Sequence, residues 1–119
     1  MCLCETWLNH NIKTDELIFN GFKVYRNDRT SKGGGGLCFL IKNNIISSFH
    51  DPLQSDSFEM LHISYDNQSF FSKHIILIYR PPNSSLAQFY EQLDNILDKC
   101  DSKLDIVVAG DFNIDCSTK

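Results

Sequence analysis

Residues 75–113 read IILIYRPPNSSLAQFYEQLDNILDKCDSKLDIVVAGDFN, and this run decides the architecture. IILIY at 75–79 is almost continuously apolar, the pattern of a strand buried on both faces. Pro81-Pro82-Asn83 ends it. Apolar residues then recur at 86, 89, 90, 93, 96, 97 and 100, the spacing of one helix face. Ser85 with Gln88 three residues on forms a capping box. Asp101-Ser102-Lys103 closes the helix, and LDIVVAG at 104–110 is the next strand. Strand, helix and strand in this order predict a parallel pair with a right-handed crossover. Both strands then end at the same edge of the sheet, where open α/β sheets gather their sites. Tyr79 and Arg80 finish the first strand, and Asp111, Phe112 and Asn113 finish the second. If the backbone stays extended, Asp111 and Asn113 face the same side.

Working outward, the preceding segments read as short strands separated by turns. MCLC at the start is a short apolar piece. ETWLNHNIKTDELIFNGFKVY has no strong period, but Asn20-Gly21 is a turn signal and FKVY alternates like a strand. NDRTSKGGGG is a loop, LCFLIK at 37–42 a buried strand, and IISSF a further short strand. HDPLQSDS at 50–57 is a polar connection. FEMLHISY at 58–65 alternates through Phe58, Met60 or Leu61, and Ile63, which predicts a strand, and DNQS is a turn.

The 119 residues suffice for one modest domain, and 42% hydrophobic with 22% charged residues is ordinary globular composition. No apolar stretch is long enough to cross a bilayer, and MCLCETWLNH lacks the basic start and apolar core of a secretory signal. An intracellular chain, nuclear or cytoplasmic and without a membrane partner, is expected. The five cysteines are odd in number and contain no C-x-x-C, which argues against a disulfide framework or zinc ribbon. Cys2, Cys4 and His10 offer a metal set on paper; small buried residues of a strand is the favoured reading. Net charge is −4, with six Lys/Arg against four Asp/Glu in residues 1–50 and five against eleven in residues 51–119. Binding nucleic acid through bulk charge would require a more basic chain. A polyanion must instead meet local cations or a metal held on carboxylates.

On the residues alone, Asp111 and Asn113 have two readings. Gly-Asp and Asn are common strand exits. An acid at the lip of a buried sheet can also meet a hard cation or a reacting hydroxyl, with a neighbouring amide to orient a phosphate. Gly33–Gly36 fits neither a P-loop nor a dinucleotide fingerprint, because the glycines precede a strand and no Lys-Ser/Thr follows. A mobile hairpin or a close backbone approach is expected there. Histidines 10, 50, 62 and 74 share no metal-ligand spacing, and His62 and His74 fall inside strand patterns as packed or edge residues.

Five blocks occur in order: ETWL at 5–8, GGGL at 34–37, FEML at 58–61, YRPPNSS at 79–85 and AGDFNID at 109–115. Their order and spacing resemble the endonuclease/exonuclease/phosphatase superfamily, and most closely the apurinic-like endonuclease domain of non-LTR (LINE-type) retrotransposons. The resemblance covers nearly the whole chain, residues 1–119. It implies an α/β fold, part of a four-layer sandwich of two mixed sheets of the DNase I-like kind, with helices outside. Glu5 then matches the metal-binding glutamate, Tyr79 the tyrosine against the scissile phosphate, Asp111 the aspartate that aligns the attacking water, and Asn113 the asparagine that steadies the phosphate. Arg80 is a candidate phosphate contact, and Glu59 is structural. The implied cofactor is Mg²⁺, with Mn²⁺ as the alternative, and the implied partners are DNA and the rest of a retrotransposon polyprotein.

Two parts of the family pattern have no counterpart here, an upstream strand carrying an asparagine and a late Ser-Asp-His motif. A fragment of a Mg²⁺-dependent DNA endonuclease, weakly active or inactive alone, is therefore expected. The competing expectations are a phosphatase of the same superfamily acting on phospholipid or inositol head groups, and a non-catalytic remnant or binding module. Unpaired strand edges and an uncovered sheet face are expected to lower stability.

Overall fold

The computed structural model describes residues 1–30, 33–50, 53–54, 58–67, 71–100 and 105–115. Among these, strands β1 (Cys2–Cys4), β2 (Phe22–Asn27) and β3 (Leu37–Lys42) form an antiparallel sheet in the order β1-β3-β2. Strands β4 (Ile46–Phe49), β6 (Glu59–Asn67), β7 (Phe71–Tyr79) and β8 (Asp105–Asp111) form a mixed sheet in that order. The two-residue β5 (Leu53–Gln54) pairs with β6. Helix α1 (Leu86–Lys99) joins β7 to β8, which run parallel with Tyr79 beside Asp111. The crossover unit is the one the opening run dictates.

Strand alternation builds two cores. On β6 the odd residues Leu61 and Ile63 join Leu77 and Tyr79 of β7 against Leu37, Phe39 and Ile41 of the first sheet. The even residue Met60, with Phe58 just before the strand, joins Ile76 and Ile78 against Phe89 of the helix. The mixed sheet is thus covered on both faces, which is why IILIY carries no polar residue before Tyr79. Ser85 caps the helix, its hydroxyl accepting from the Gln88 amide at 3.3 Å. Leu93, Ile96, Leu97 and Cys100 follow Phe89 into this core. Tyr90 lies on the flank of the stripe and Leu86 in the first turn, and both stay exposed, so the buried face is narrower than the periodicity predicts.

Several expectations shift. The polar connection at 50–57 contains β5. Asp66 and Asn67 of the DNQS turn extend β6, and the rest of that turn lies outside the described residues. Cys38 is buried, but Cys2 is exposed and Cys4 only half-buried, because among the described residues β1 is an edge strand paired with β3 alone. Cys2, Cys4 and His10 form no metal-ligating group among the described residues. On the outer side of the first sheet, the Arg26 guanidinium donates to the carbonyls of Ile12 at 2.7 Å and Asn9 at 3.0 Å. The layer there is a tethered loop with a 3₁₀ turn, Thr14–Glu16. No described helix is long and apolar enough to cross a membrane.

Candidate active site

The parallel register between β7 and β8 places Tyr79 and Asp111 side by side on the face turned toward the first sheet. The segment leaving β1 meets them. Tyr79 donates its hydroxyl to Glu5 Oε1 at 2.5 Å across 74 residues of sequence. Between the two carboxylates lies the half-buried Cys4. Burial pushes its thiol up, against a hydrogen bond with the Asp111 backbone, and the charges of Asp111 and Glu5 push it further. A thiol held protonated in this way is a packing group rather than a nucleophile.

Backbone strain concentrates at the same place. The described non-glycine residues with positive φ are Glu5 (53°), Trp7 (57°) and Asn113 (47°). Such conformations are uncommon for side-chain-bearing residues and persist only where their surroundings hold them. At Glu5 and Trp7 the holding partner is the glycine loop. The Trp7 amide donates to Gly35 O at 2.9 Å, and the Thr6 amide to Gly36 O at 3.3 Å. Gly35 has φ +67°, and a Cβ there would lie 2.5 Å from Glu59 Oε1 and from Arg29 Cζ. Of the two expectations for Gly33–Gly36, the structure shows the close backbone approach: the loop seats the ETWL block.

Asn113 does not continue an extended strand, so it and Asp111 are not simple same-side neighbours. Its amide N–H donates to Asp111 Oδ1 at 3.1 Å, and its Nδ2 donates to Arg80 O at 2.8 Å. Arg80 itself is only 3% exposed. Its guanidinium donates to Phe112 O, Ser84 O and Asn113 O, each at 2.7 Å, and its backbone N–H to Asp111 O at 2.9 Å. Every guanidinium nitrogen is thus committed to a main-chain carbonyl, and Arg80 acts as a clamp on the 111–113 turn. Arginine followed by Pro-Pro carries no signal that distinguishes a clamp from a phosphate contact; the difference is burial.

One residue at the site, Arg29, carries no sequence signal, and it is held by Glu59 of the FEML block. Arg29, from the loop after β2, lies with its guanidinium 5.6 Å from the Tyr79 ring centroid. It pairs through Nε with the carboxylate of Glu59. Glu59 is 3% exposed and also accepts from the Gly36 amide at 2.8 Å. The acceptor Glu5 raises the Tyr79 phenol above its ordinary value, burial adds to this, and Arg29 partly offsets it. Tyr79 therefore remains a hydrogen-bond donor at neutral pH.

Glu5 and Asp111 are both exposed. Tyr79 occupies one carboxylate oxygen of Glu5, and a carboxylate has ligand capacity beyond that. They form no closed three-ligand group among the described residues. One or two carboxylates with otherwise open coordination is the donor set that suits Mg²⁺, which keeps waters and substrate phosphate oxygens around it. The residues present fit that ion.

The sequence matches the endonuclease/exonuclease/phosphatase family over residues 1–118, and the chain belongs to that family. The family comprises phosphodiesterase- and phosphatase-type hydrolases that typically depend on a divalent metal. No curated protein matches the chain.

Proposed function

We propose that the Glu5–Tyr79–Asp111–Asn113 cleft is a DNA phosphodiesterase site of the apurinic-like endonuclease type found in non-LTR retrotransposons. The observation that carries the proposal is the Tyr79–Glu5 hydrogen bond formed directly beside Asp111 in the β7–β8 register. Glu5 would hold Mg²⁺, which when bound supplies Lewis-acid polarisation of a phosphoryl oxygen and offsets leaving-group charge. The Tyr79 hydroxyl, which stays protonated at neutral pH, would donate to a phosphate oxygen as charge develops there. Asp111 presents an exposed carboxylate that can orient a water for in-line attack. Asn113, held by Arg80 and Asp111, fixes the turn that carries that carboxylate. Trp7 is 66% exposed two residues from Glu5. An exposed indole at the mouth of a phosphate cleft favours a base-stacking substrate over a soluble head group.

The proposal includes weak or absent activity of this chain alone. His50, His62 and His74 lie around the face of the mixed sheet opposite Tyr79, and His10 occupies an exposed turn. None is placed to contact the phosphate or protonate a leaving group in the cleft. Incubation with supercoiled plasmid and Mg²⁺ tests the assignment. Any nicking above background should vanish with chelator and with Asp111→Ala, and should fall by ~10²–10³-fold with Tyr79→Phe. Nicking that survives Asp111→Ala would overturn it. Release of phosphate from inositol phosphates without nicking would favour the phosphatase reading. Mg²⁺-dependent quenching of Trp7 by an oligonucleotide, with no turnover, would favour a binding module.

A further inference from the structure

On the helix-side face of the mixed sheet, three histidines from three neighbouring chain segments converge. His50 follows β4 by one residue, and its amide donates to His62 O at 3.0 Å, which extends the β4–β6 ladder by one pair. His62 of β6 and His74 of β7 are diagonal partners, since Ser64 pairs with His74 and His62 with Ile76. Diagonal neighbours on one face lie within side-chain reach. The His50 and His62 rings stack with centroids 4.0 Å apart, and His62 Nε2 lies 2.8 Å from His74 Nδ1. One ring nitrogen from each of the three falls within 4.8 Å of the others.

We propose that His50, His62 and His74 form a second metal site, selective for Zn²⁺ or a similar transition ion and separate from the Glu5 cleft. The donor chemistry excludes Mg²⁺, which takes oxygen ligands, and suits borderline ions that bind imidazole. His62 and His74 are 8% and 9% exposed, whereas His50 is half-buried and leaves the group accessible on one side. Ser64 Oγ, 3.0 Å from His50 Nε2, forms the polar wall of the site. Three imidazoles leave the fourth tetrahedral position for water. Zn–N bonds of 2.0–2.1 Å require ligand nitrogens about 3.3 Å apart. Binding therefore opens the His62–His74 hydrogen bond by roughly 0.5 Å and turns His50 out of its stack. The ion would cross-link β4, β6 and β7 on the face away from the cleft.

Co²⁺ and Zn²⁺ titration of the intact chain tests this site. One equivalent of Co²⁺ should give visible d–d bands without the near-ultraviolet thiolate band, and Zn²⁺ should displace it. Zn²⁺ should raise the melting temperature where equimolar Mg²⁺ does not. His50→Ala and His74→Gln, both checked for folding by circular dichroism, should each weaken binding by at least the ~10–100-fold that loss of an outer partner costs. NMR of the unsubstituted chain supplies a readout independent of folding, in that three imidazole side chains should shift together on adding Zn²⁺. A thiolate band, unshifted imidazoles, or affinity unchanged in both variants would overturn the proposal.

Discussion

Arg80 shows how burial redirects a charged side chain. Its position next to Tyr79 suits a phosphate contact, but its donors are spent on the carbonyls of Ser84, Phe112 and Asn113. Arg80→Ala would leave these acceptors without their partner, and an unsatisfied buried polar group costs ~1–3 kcal/mol. We expect a loss of about 3 kcal/mol in urea denaturation, and a similar loss for Arg80→Gln, which cannot span the three carbonyls. A true phosphate contact would instead leave stability unchanged. His62 carries the second residue-scale expectation. Its folded pKa of about 4 lies below the ordinary 6.5, so the unfolded chain takes up a proton that the folded chain refuses. Stability is therefore full above pH 6.5 and is lost as pH falls toward 4. With chelator present, the denaturation midpoint should drop across this window, and His62→Gln should flatten the drop.

At the scale of the element, the β7–β8 pair depends on one glycine. Gly110 has φ +145°, and a Cβ there would overlap the Ile78 carbonyl of the adjacent strand. Backbone cannot move aside inside a ladder as a flexible side chain can. Gly110→Ala should destabilise the chain by more than about 3 kcal/mol, visible in thermal melts, and should displace Asp111 from Tyr79. In the GDFN block, then, the glycine permits the close strand approach, the aspartate takes the exposed edge, and the asparagine tolerates positive φ more readily than most residues. Each residue type answers a local requirement.

At the scale of the whole molecule, polar ties fix one sheet against the other. Asn27 Nδ2 donates to Met60 O at 2.7 Å and Tyr25 and Ser47 share a 2.8 Å hydroxyl contact, while Lys23 Nζ donates to Ile45 O, in the turn that links the sheets, at 3.0 Å. Glu59 is the deepest of these ties, joining β6 to the glycine loop and Arg29. Breaking a buried pair leaves an uncompensated charge and typically costs 3–5 kcal/mol. Glu59→Ala should fall in that range by denaturant titration, while exposed Glu5→Ala should cost less than about 1 kcal/mol. Among the described residues β8 is an edge strand, with Val107 exposed on its inner-facing side. Unpaired edges template association.

The chain of residues 75–113 determined the crossover unit by itself, because helix periodicity, a capping serine and apolar strand runs are local signals that need no partner to be read. The capping box, the parallel β7–β8 pair and the meeting of Tyr79 with Asp111 all follow from it. Only the tertiary structure decided that Arg80 faces inward, that Asn113 leaves the extended conformation, and that Arg29 lies over Tyr79. It alone brought together His50, His62 and His74, whose spacings of 12 along the chain match no ligand motif. The reason is physical: strand register and sheet packing convert sequence distance into contact, and neither is written in the composition of any one segment.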